Sequence, residues 1–210
     1  MNIDKKANQE KFEALLRATG REGMDYVLED LAKDGFFEAP ASAGHHLNVP
    51  GGLCEHSLNV CRAALMVWEG MCKMDDSVAR EVSRDSVVIA SLLHDVCKTN
   101  IYKPALKRKK NSMGVWEDVP GYNVVYNKLP LGHGEKSVIM LLLSGLDLTD
   151  EEMLAIRWHM GAWGLNFNSY EDERSYDTAR TITPLVSIVQ VGDSLAASIL
   201  ERTAEDVASL

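Results

Sequence analysis

The chain has 210 residues, of which 46% are hydrophobic and 25% charged, and its formal net charge is −9. This composition is typical of a globular protein with one substantial core, so we predict a single domain over residues 1–210. The negative charge disfavours binding of extended nucleic acid along a broad surface. The sequence has no run of membrane-spanning length and no apolar signal segment after Met1. We therefore expect a cytoplasmic protein that does not contact membranes.

The chain begins with two predicted helices. The first covers 4–19, with Asp4 as its cap and Gly20 as its end. The second covers 21–34 and ends at a glycine. Residues 1–36 are therefore predicted to form an N-terminal helical part of the domain.

Longer and more apolar helices are predicted to follow. A loop over 38–52, which contains proline and glycine, leads into a long helix over 53–73. Thr149 and Glu152 have the spacing of a capping box and start a later helix. The remaining helices predicted from apolar periodicity cover 85–98, 133–144, 150–160 and 184–203.

One segment, 100–130, does not have helical periodicity. Its polar residues and glycine at 111–114 interrupt two extended stretches, which is typical of a β-hairpin. The predicted fold class is therefore all-α, a helical bundle with one small β-hairpin insertion. The four cysteines, at 54, 61, 72 and 97, form no CxxC pair and lie in largely apolar segments, so we predict free thiols that pack inside the fold.

An ordered series of histidines and aspartates is the strongest chemical signal in the chain. Imidazole nitrogen and carboxylate oxygen are common ligands of divalent transition metals. Six such ligands exceed the needs of one tetrahedral site but suit two metals that share a bridging carboxylate. The series consists of His56, His94, Asp95, His133, His159 and Asp193.

Most of these residues lie in apolar segments, where a polar side chain needs a partner. His94 and Asp95 end the stretch 87–96, which is apolar on nearly every helical face. His159 and Asp193 have similar apolar surroundings. Burying an imidazole and a carboxylate unpaired is costly, and a metal ion removes that cost.

The spacing of this series resembles the HD superfamily of metal-dependent phosphohydrolases, over roughly residues 36–200. Several local strings are similar to the HD domain of bacterial 3′–5′ exoribonucleases, although the nucleic-acid-binding barrel of those enzymes is not found and Met160 replaces a second histidine. The similar strings lie at 39–46, 51–57, 92–98, 131–133 and 192–197.

The resemblance implies a helical HD domain and a hydrolase of a small phosphoester, such as a nucleotide, a cyclic nucleotide or a short oligonucleotide. His56, His94, Asp95 and Asp193 would hold one ion, and Asp95 would bridge to a second ion held by His133 and His159. The ions would be manganese, iron, nickel, cobalt or zinc. Two such ions lower the pKa of a shared water and clamp a phosphoryl group. Lys98, one turn after His94, would neutralise charge on that group.

Residues outside the ligand series are candidates for substrate binding. His45 and His46 precede the first ligand helix and match positions of the family's entry segment; a turn-stabilising or solvated role is the alternative. Lys103, Lys107 and Arg108 belong to a basic, aromatic-rich part of the hairpin. This part either guides a phosphorylated substrate to the metals or is an ordinary solvated strand.

Two other functions share this ligand order. Some HD-fold enzymes hold two irons with it and oxidise a polyol or a phosphonate, and His/Asp ligands alone do not separate the two chemistries. The neighbouring strings favour the hydrolase. A non-catalytic ligand-binding HD module is the third hypothesis, and retention of all six ligands argues against it.

Overall fold

The computed structural model describes residues 3–111, 113–126, 129–166 and 168–202. These ranges contain nine α-helices and a two-stranded antiparallel sheet, which confirms the predicted all-α bundle with a hairpin insertion. The elements are α1 (Lys5–Arg17), α2 (Met24–Asp34), α3 (Gly52–Met74), α4 (Ser77–Glu81), α5 (Arg84–Leu93), β1 (Tyr102–Lys110), β2 (Trp116–Val124), α6 (His133–Leu143), α7 (Asp150–Trp158), α8 (Tyr170–Ile182) and α9 (Pro184–Leu195).

The centre of the bundle is formed by α3, α5, α7 and α9, which pack against one another. Helix α5 is the most deeply buried, since all seven residues over 87–93 are inaccessible to solvent. Ser83 caps it by accepting a hydrogen bond from the Ser86 amide at 3.0 Å. A helix that is apolar all round can only be stable inside a core, and this places its carboxyl end in the interior.

Two glycines allow the helices that carry candidate ligands to approach closely. A Cβ on Gly192 of α9 would lie 2.8 Å from the Ala64 Cβ on α3. A Cβ on Gly134 of α6 would lie 2.1 Å from the Arg157 carbonyl oxygen on α7. The first contact brings Asp193 beside α3, and the second brings the amino end of α6 to the carboxyl end of α7.

The N-terminal helices belong to the same core. Phe12 and Leu16 of α1 are fully buried in the cluster that also contains α5 and α9. Arg21, in the loop between α1 and α2, forms a bidentate ion pair with the fully buried Glu152, at 2.6 and 2.8 Å. Glu152 also completes the predicted capping box with Thr149 at the start of α7, so one carboxylate fixes both a helix end and the N-terminal part.

The hairpin projects from the bundle. Its register runs from the pair Tyr102–Val124 to the pair Lys110–Trp116. At its open end the Val125 amide donates a hydrogen bond of 2.7 Å to the Ile101 carbonyl. The Tyr102 hydroxyl donates one of 3.4 Å to the Ala41 carbonyl, in the loop before α3. Most of its side chains are exposed to solvent.

Two predicted helices end well before their expected last residue, and helices α4 and α8 were not predicted. The helix predicted over 85–98 ends at Leu93, and a separate 3₁₀ turn follows over Val96–Lys98. The last predicted helix, 184–203, ends at Leu195 and continues as a π turn over Ala196–Leu200, while 203 lies outside the described residues. Helix α8 was not predicted, because only Tyr176 and Ala179 of it are buried and apolar periodicity is therefore weak.

Within the described ranges, we find no individual helix with both the length and the apolarity to cross a bilayer. The pair Tyr170–Ile182 and Pro184–Leu200 meets those criteria only when joined, across a bend of 105°. The cysteines are free as predicted: Cys54, Cys61 and Cys97 are buried and Cys72 is half-buried.

Candidate metal centre

Two candidate ligands, His94 and His159, are positioned by the same local device. Each follows the last residue of a helix and keeps helical backbone angles. Each Nδ1 lies 2.7 Å from the carbonyl oxygen three residues earlier, Ser91 for His94 and Ile156 for His159. Carbonyls in the last turn of a helix lack intrahelical partners, so we assign the proton to Nδ1 as the donor. The other nitrogen, Nε2, is then a free lone pair in the interior.

His56 is oriented by a carboxylate instead of a carbonyl. Its Nδ1 lies 3.0 Å from both oxygens of Glu201, which is almost completely buried and directly follows the π turn Ala196–Leu200. Glu201 also accepts a hydrogen bond from the Asn59 amide at 3.2 Å. Carboxylate partners of this kind fix the tautomer of ligating histidines. Sequence reasoning missed Glu201, which lies 145 positions from His56 in a charged stretch that resembles a solvated chain end.

Asp95 lies at the centre of these imidazoles and is 2% exposed. Its Oδ2 is 3.4 Å from His94 Nε2 and 3.8 Å from His56 Nε2. Its Oδ1 is 3.5 Å from His159 Nε2. The two oxygens of one carboxylate therefore face different histidines, as expected for a bridging ligand.

Asp193 completes this group from the side of α9. Its Oδ1 lies 3.3 Å from His56 Nε2. It also forms a triad with His94 and His159 in which one donor atom from each residue lies within 4.8 Å of the others. The Asp193 side chain is 21% exposed, whereas the three histidines are buried, so the centre meets solvent on the Asp193 side.

The donor atoms of this group fit a bound cation. His94 Nε2, His159 Nε2 and Asp95 Oδ1 are buried and have no hydrogen-bond partner among the described residues. Polar atoms left in that state are destabilising. A divalent metal ion would use both lone pairs and neutralise the carboxylate.

His133 lies at the first position of α6, somewhat apart from the other histidines. It forms a triad with Asp95 and Cys97, again with donor atoms within 4.8 Å. Its Nδ1 lies 3.2 Å from the Cys97 sulfur. Burial, with the Asp95 charge as a further cause, raises the pKa of the Cys97 thiol to about 12, so this sulfur is neutral in the metal-free protein. His159 is grouped with His94 and Asp193 rather than with His133.

Lys98 does not continue the helix of His94, as the sequence analysis expected, but lies on the 3₁₀ turn that follows Asp95. Its ammonium is 2.6 Å from Asp95 Oδ2. Burial opposes the charge on both side chains, yet their mutual attraction raises the pKa of Lys98 and holds the pKa of Asp95 well below its usual range. Lys98 therefore acts on the central carboxylate.

The structure separates His45 from His46. His45 is exposed, and its amide donates a hydrogen bond to the Ser42 hydroxyl at 2.8 Å. The His46 ring lies 4.9 Å from the His56 ring, and its Nε2 is 3.8 Å from Glu201 Oε2. Of the two predicted substrate-binding histidines, only His46 borders the centre.

The basic residues of the hairpin are not brought into the centre. Lys103, Lys107 and Arg108 are all exposed. Lys107 donates a hydrogen bond to Asn123 at 2.6 Å, within the hairpin. Because a strand rises about 3.3 Å per residue, Lys107 lies roughly 16 Å along β1 from Tyr102, near the end attached to the bundle. Any effect of Lys107 or Arg108 on the centre is therefore expected at long range.

Comparison with known proteins agrees with this arrangement. The family model for the HD domain matches residues 53–198. The chain therefore belongs to the HD domain family, in the superfamily of metal-dependent phosphohydrolases.

One curated relative is dihydroneopterin 2′,3′-cyclic phosphate phosphodiesterase of Methanocaldococcus jannaschii, which is 37% identical over 65 residues. That segment is 31% of this chain and 25% of the relative, so the match spans a quarter of the relative's length. No solved structure matches the chain at a significant level.

Proposed function

We propose that this protein hydrolyses a phosphoester bond of a small phosphorylated molecule at the centre formed around Asp95. The observation that supports it best is the set of buried atoms without partners, His94 Nε2, His159 Nε2 and Asp95 Oδ1. A divalent metal held there lowers the pKa of water and polarises phosphoryl oxygens, which is the chemistry that phosphoester hydrolysis needs.

The ligand assignment has two parts. His56, His94, Asp95 and Asp193 would hold a first ion. Asp95, His133 and His159 would hold a second, with Asp95 as the bridge, because its two oxygens face different histidines. The ions would be two divalent transition metals, among manganese, iron, nickel, cobalt and zinc.

Metal stoichiometry tests this assignment. The purified, metal-replete protein should contain close to two ions per chain by elemental analysis, and His133→Ala should contain close to one. A wild type that never exceeds one ion would contradict the two-ion assignment while leaving the first site intact.

The protein's own residues would prepare the centre in three ways. Carbonyl and carboxylate acceptors hold the Nδ1 protons of the histidines, so that each Nε2 points inward, where it would ligate a metal ion. The packing of α5 excludes water from the inner side of the centre. Lys98 supplies positive charge 2.6 Å from Asp95, where it would also attract the anionic phosphate.

We infer a small phosphodiester as the substrate class, such as a cyclic nucleotide or another cyclic phosphate, in the cytoplasm. The curated relative acts on a 2′,3′-cyclic phosphate by its name. Charge also supports a small substrate, since a chain of net charge −9 is poorly suited to bind a long polyanion.

A substrate panel tests this function against the di-iron alternative. Protein purified without oxygen is loaded with manganese or iron and assayed with cyclic nucleotides, nucleotides, short oligonucleotides and phosphate monoesters. Release of a phosphate or of an opened ring, without oxygen uptake, is the expected result. Oxygen consumption during turnover of a polyol or a phosphonate, with every phosphoester inert, would replace hydrolysis by oxygenase chemistry.

A further inference from the structure

A small cavity adjoins His133 at the amino end of α6. Its volume is about 100 Å³. This space is large enough to hold a small polyatomic group. It is lined by Cys97, Ile101, Tyr126, Leu131, Gly132, His133 and Lys136.

Lys136 is the unusual member of this lining. It is only 8% exposed, and lysines this deeply buried normally have a charged partner. In the part of the chain that the structure describes, its ammonium forms no ion pair with a carboxylate. The nearby negative charge, Asp95, is already paired with Lys98.

The groups that feel the Lys136 charge do not balance it. They are His133 and Cys97. Neither is a carboxylate, and the described lining of the cavity contains no acidic side chain. The cavity is therefore bordered by an uncompensated positive charge.

The end of α6 adds to this positive character. No side chain of the cap residue, Gly132, accepts a hydrogen bond from the first-turn amides. The carboxylate of Glu135 in that turn lies against Gly132, and its charge is paired with Arg157 at 2.6 Å. An uncapped helix amino end favours an anion through its free amides and its dipole.

We propose that this cavity is an anion subsite that binds a phosphate group, with Lys136 as its cationic partner. The inference rests on the proposed function, because it places the phosphate of the substrate or product beside His133. Lys136 is thus assigned as a substrate-binding residue that sequence motifs alone do not indicate.

Inorganic phosphate is the probe, measured by calorimetry on metal-loaded protein. Lys136→Met keeps the length of the side chain and removes the charge, and it should weaken phosphate binding by about tenfold or more. Lys136→Arg keeps the charge and should stay closer to wild type than Lys136→Met does. Lys33→Met, an exposed position on α2, is the matched control and should bind phosphate like wild type.

Thermal unfolding separates a binding role from a structural one. Without phosphate, Lys136→Met should melt close to the wild-type temperature, because the substitution removes no ion pair between described residues. Phosphate should raise the melting temperature of wild type more than that of the variant. A less stable or unfolded Lys136→Met would show that the lysine is a structural cation and would overturn the proposal.

Equal phosphate affinity in wild type and Lys136→Met, with equal metal content, would also overturn it. This result is distinguishable from failure of the proposed function, because phosphate binding needs no turnover. A protein that binds phosphate through Lys136 but hydrolyses no phosphoester would refute the hydrolase and leave the anion subsite.

Discussion

The metal centre and the hairpin both concentrate charged and polar residues, but their surroundings are opposite. His56, His94, Asp95 and His159 are each at most 2% exposed, whereas the basic residues over 107–110 are all exposed. In the interior each polar atom either has a partner or needs one, so substitutions there should have large effects on metal binding, activity and stability. On the hairpin, water and salt screen the charges, so changes should be small and dependent on ionic strength.

Removal of the central carboxylate should have the largest effect. Asp95→Asn keeps the shape of the side chain but removes the charge that both ions would share, so we expect activity to fall to background and metal content to fall with it. Elemental analysis and the phosphoester assay measure both. Asp75→Asn, at an exposed position after α3, is the control.

Asp95→Asn also leaves the Lys98 ammonium without its partner at 2.6 Å, so some loss of stability is expected. Circular dichroism and the melting temperature must therefore accompany the rate. A folded Asp95→Asn protein with wild-type turnover would refute the assigned centre.

Lys98→Met should have the next largest effect. Removing one electrostatic stabiliser of a transition state typically lowers the rate by about 10²–10³-fold, and we expect that loss in kcat. Metal content should stay at the wild-type level, since Lys98 contacts Asp95 and not the metal. If metal is lost in parallel with the rate, Lys98 positions Asp95 and does not act on the phosphate.

Metal affinity should depend on pH through His56. Burial disfavours its charged form, but hydrogen bonds to Asp193 and Glu201 outweigh burial and raise the pKa of His56 to about 9. Because a metal needs the neutral imidazole, affinity should rise roughly tenfold per pH unit and level off above pH 9.

The stability of the metal-free protein should instead fall as pH rises. The folded-state pKa lies above the unfolded value of about 6.5, so the stabilisation by the His56 proton is complete below about pH 6.5 and is lost as pH rises through about 9. Competition with a chelator from pH 6 to 9 measures how metal affinity changes with pH. Melting curves over the same range measure how the stability of the metal-free protein changes with pH. A metal affinity that is flat from pH 7 to 9 would contradict this account of His56.

Glu201→Gln should have a moderate effect. Loss of a carboxylate behind a ligating histidine typically lowers metal affinity by about 10–100-fold. We expect that change at limiting metal, with near-normal activity at saturating metal. Glu171→Gln, at an exposed position on α8, should leave the affinity unchanged. Equal affinities in wild type and Glu201→Gln would assign Glu201 a purely structural role.

The hairpin should show the smallest effect. Neutralising its four basic residues over 107–110 to glutamine should raise KM by a few-fold at low salt and leave kcat unchanged. At high salt the difference should disappear, since the Debye length falls to about 3 Å at 1 M. A control with the same change in net charge neutralises four exposed lysines elsewhere: Lys6, Lys11, Lys33 and Lys73. If both variants behave alike, the hairpin is an ordinary solvated strand.

The interior was also the more predictable region. Apolar periodicity located α3, α5 and α9, and the apolar surroundings of His94 and Asp95 marked them for a site, because burial selects residue types strongly. Periodicity did not reveal the break at Asp95, since the chain stays apolar through Val96 and Cys97. Long-range partners were not accessible from sequence either, as Glu201 meets His56 only after α9 has packed on α3.

Elements and residues at the polar surface were harder to predict from the sequence. Helix α8 was missed because it buries few side chains. His45 and His46 are adjacent in sequence, yet only His46 turns inward, in a loop where the Ser42 hydroxyl bonds the backbone of both residues. Lys136 looks like a surface residue in the sequence, and only the packing of α6 against the 3₁₀ turn of Cys97 buries it.

Hydrolysis of a 2′,3′-cyclic nucleotide during metal titration tests the central claim most directly. Protein stripped by a chelator is titrated with manganese while ring opening is followed. We predict no turnover without metal and a rise that saturates near two ions per chain. Equal turnover in the presence of excess chelator would contradict a metal-dependent centre around Asp95. Absence of turnover by fully loaded protein with this and every other phosphoester would contradict the hydrolase.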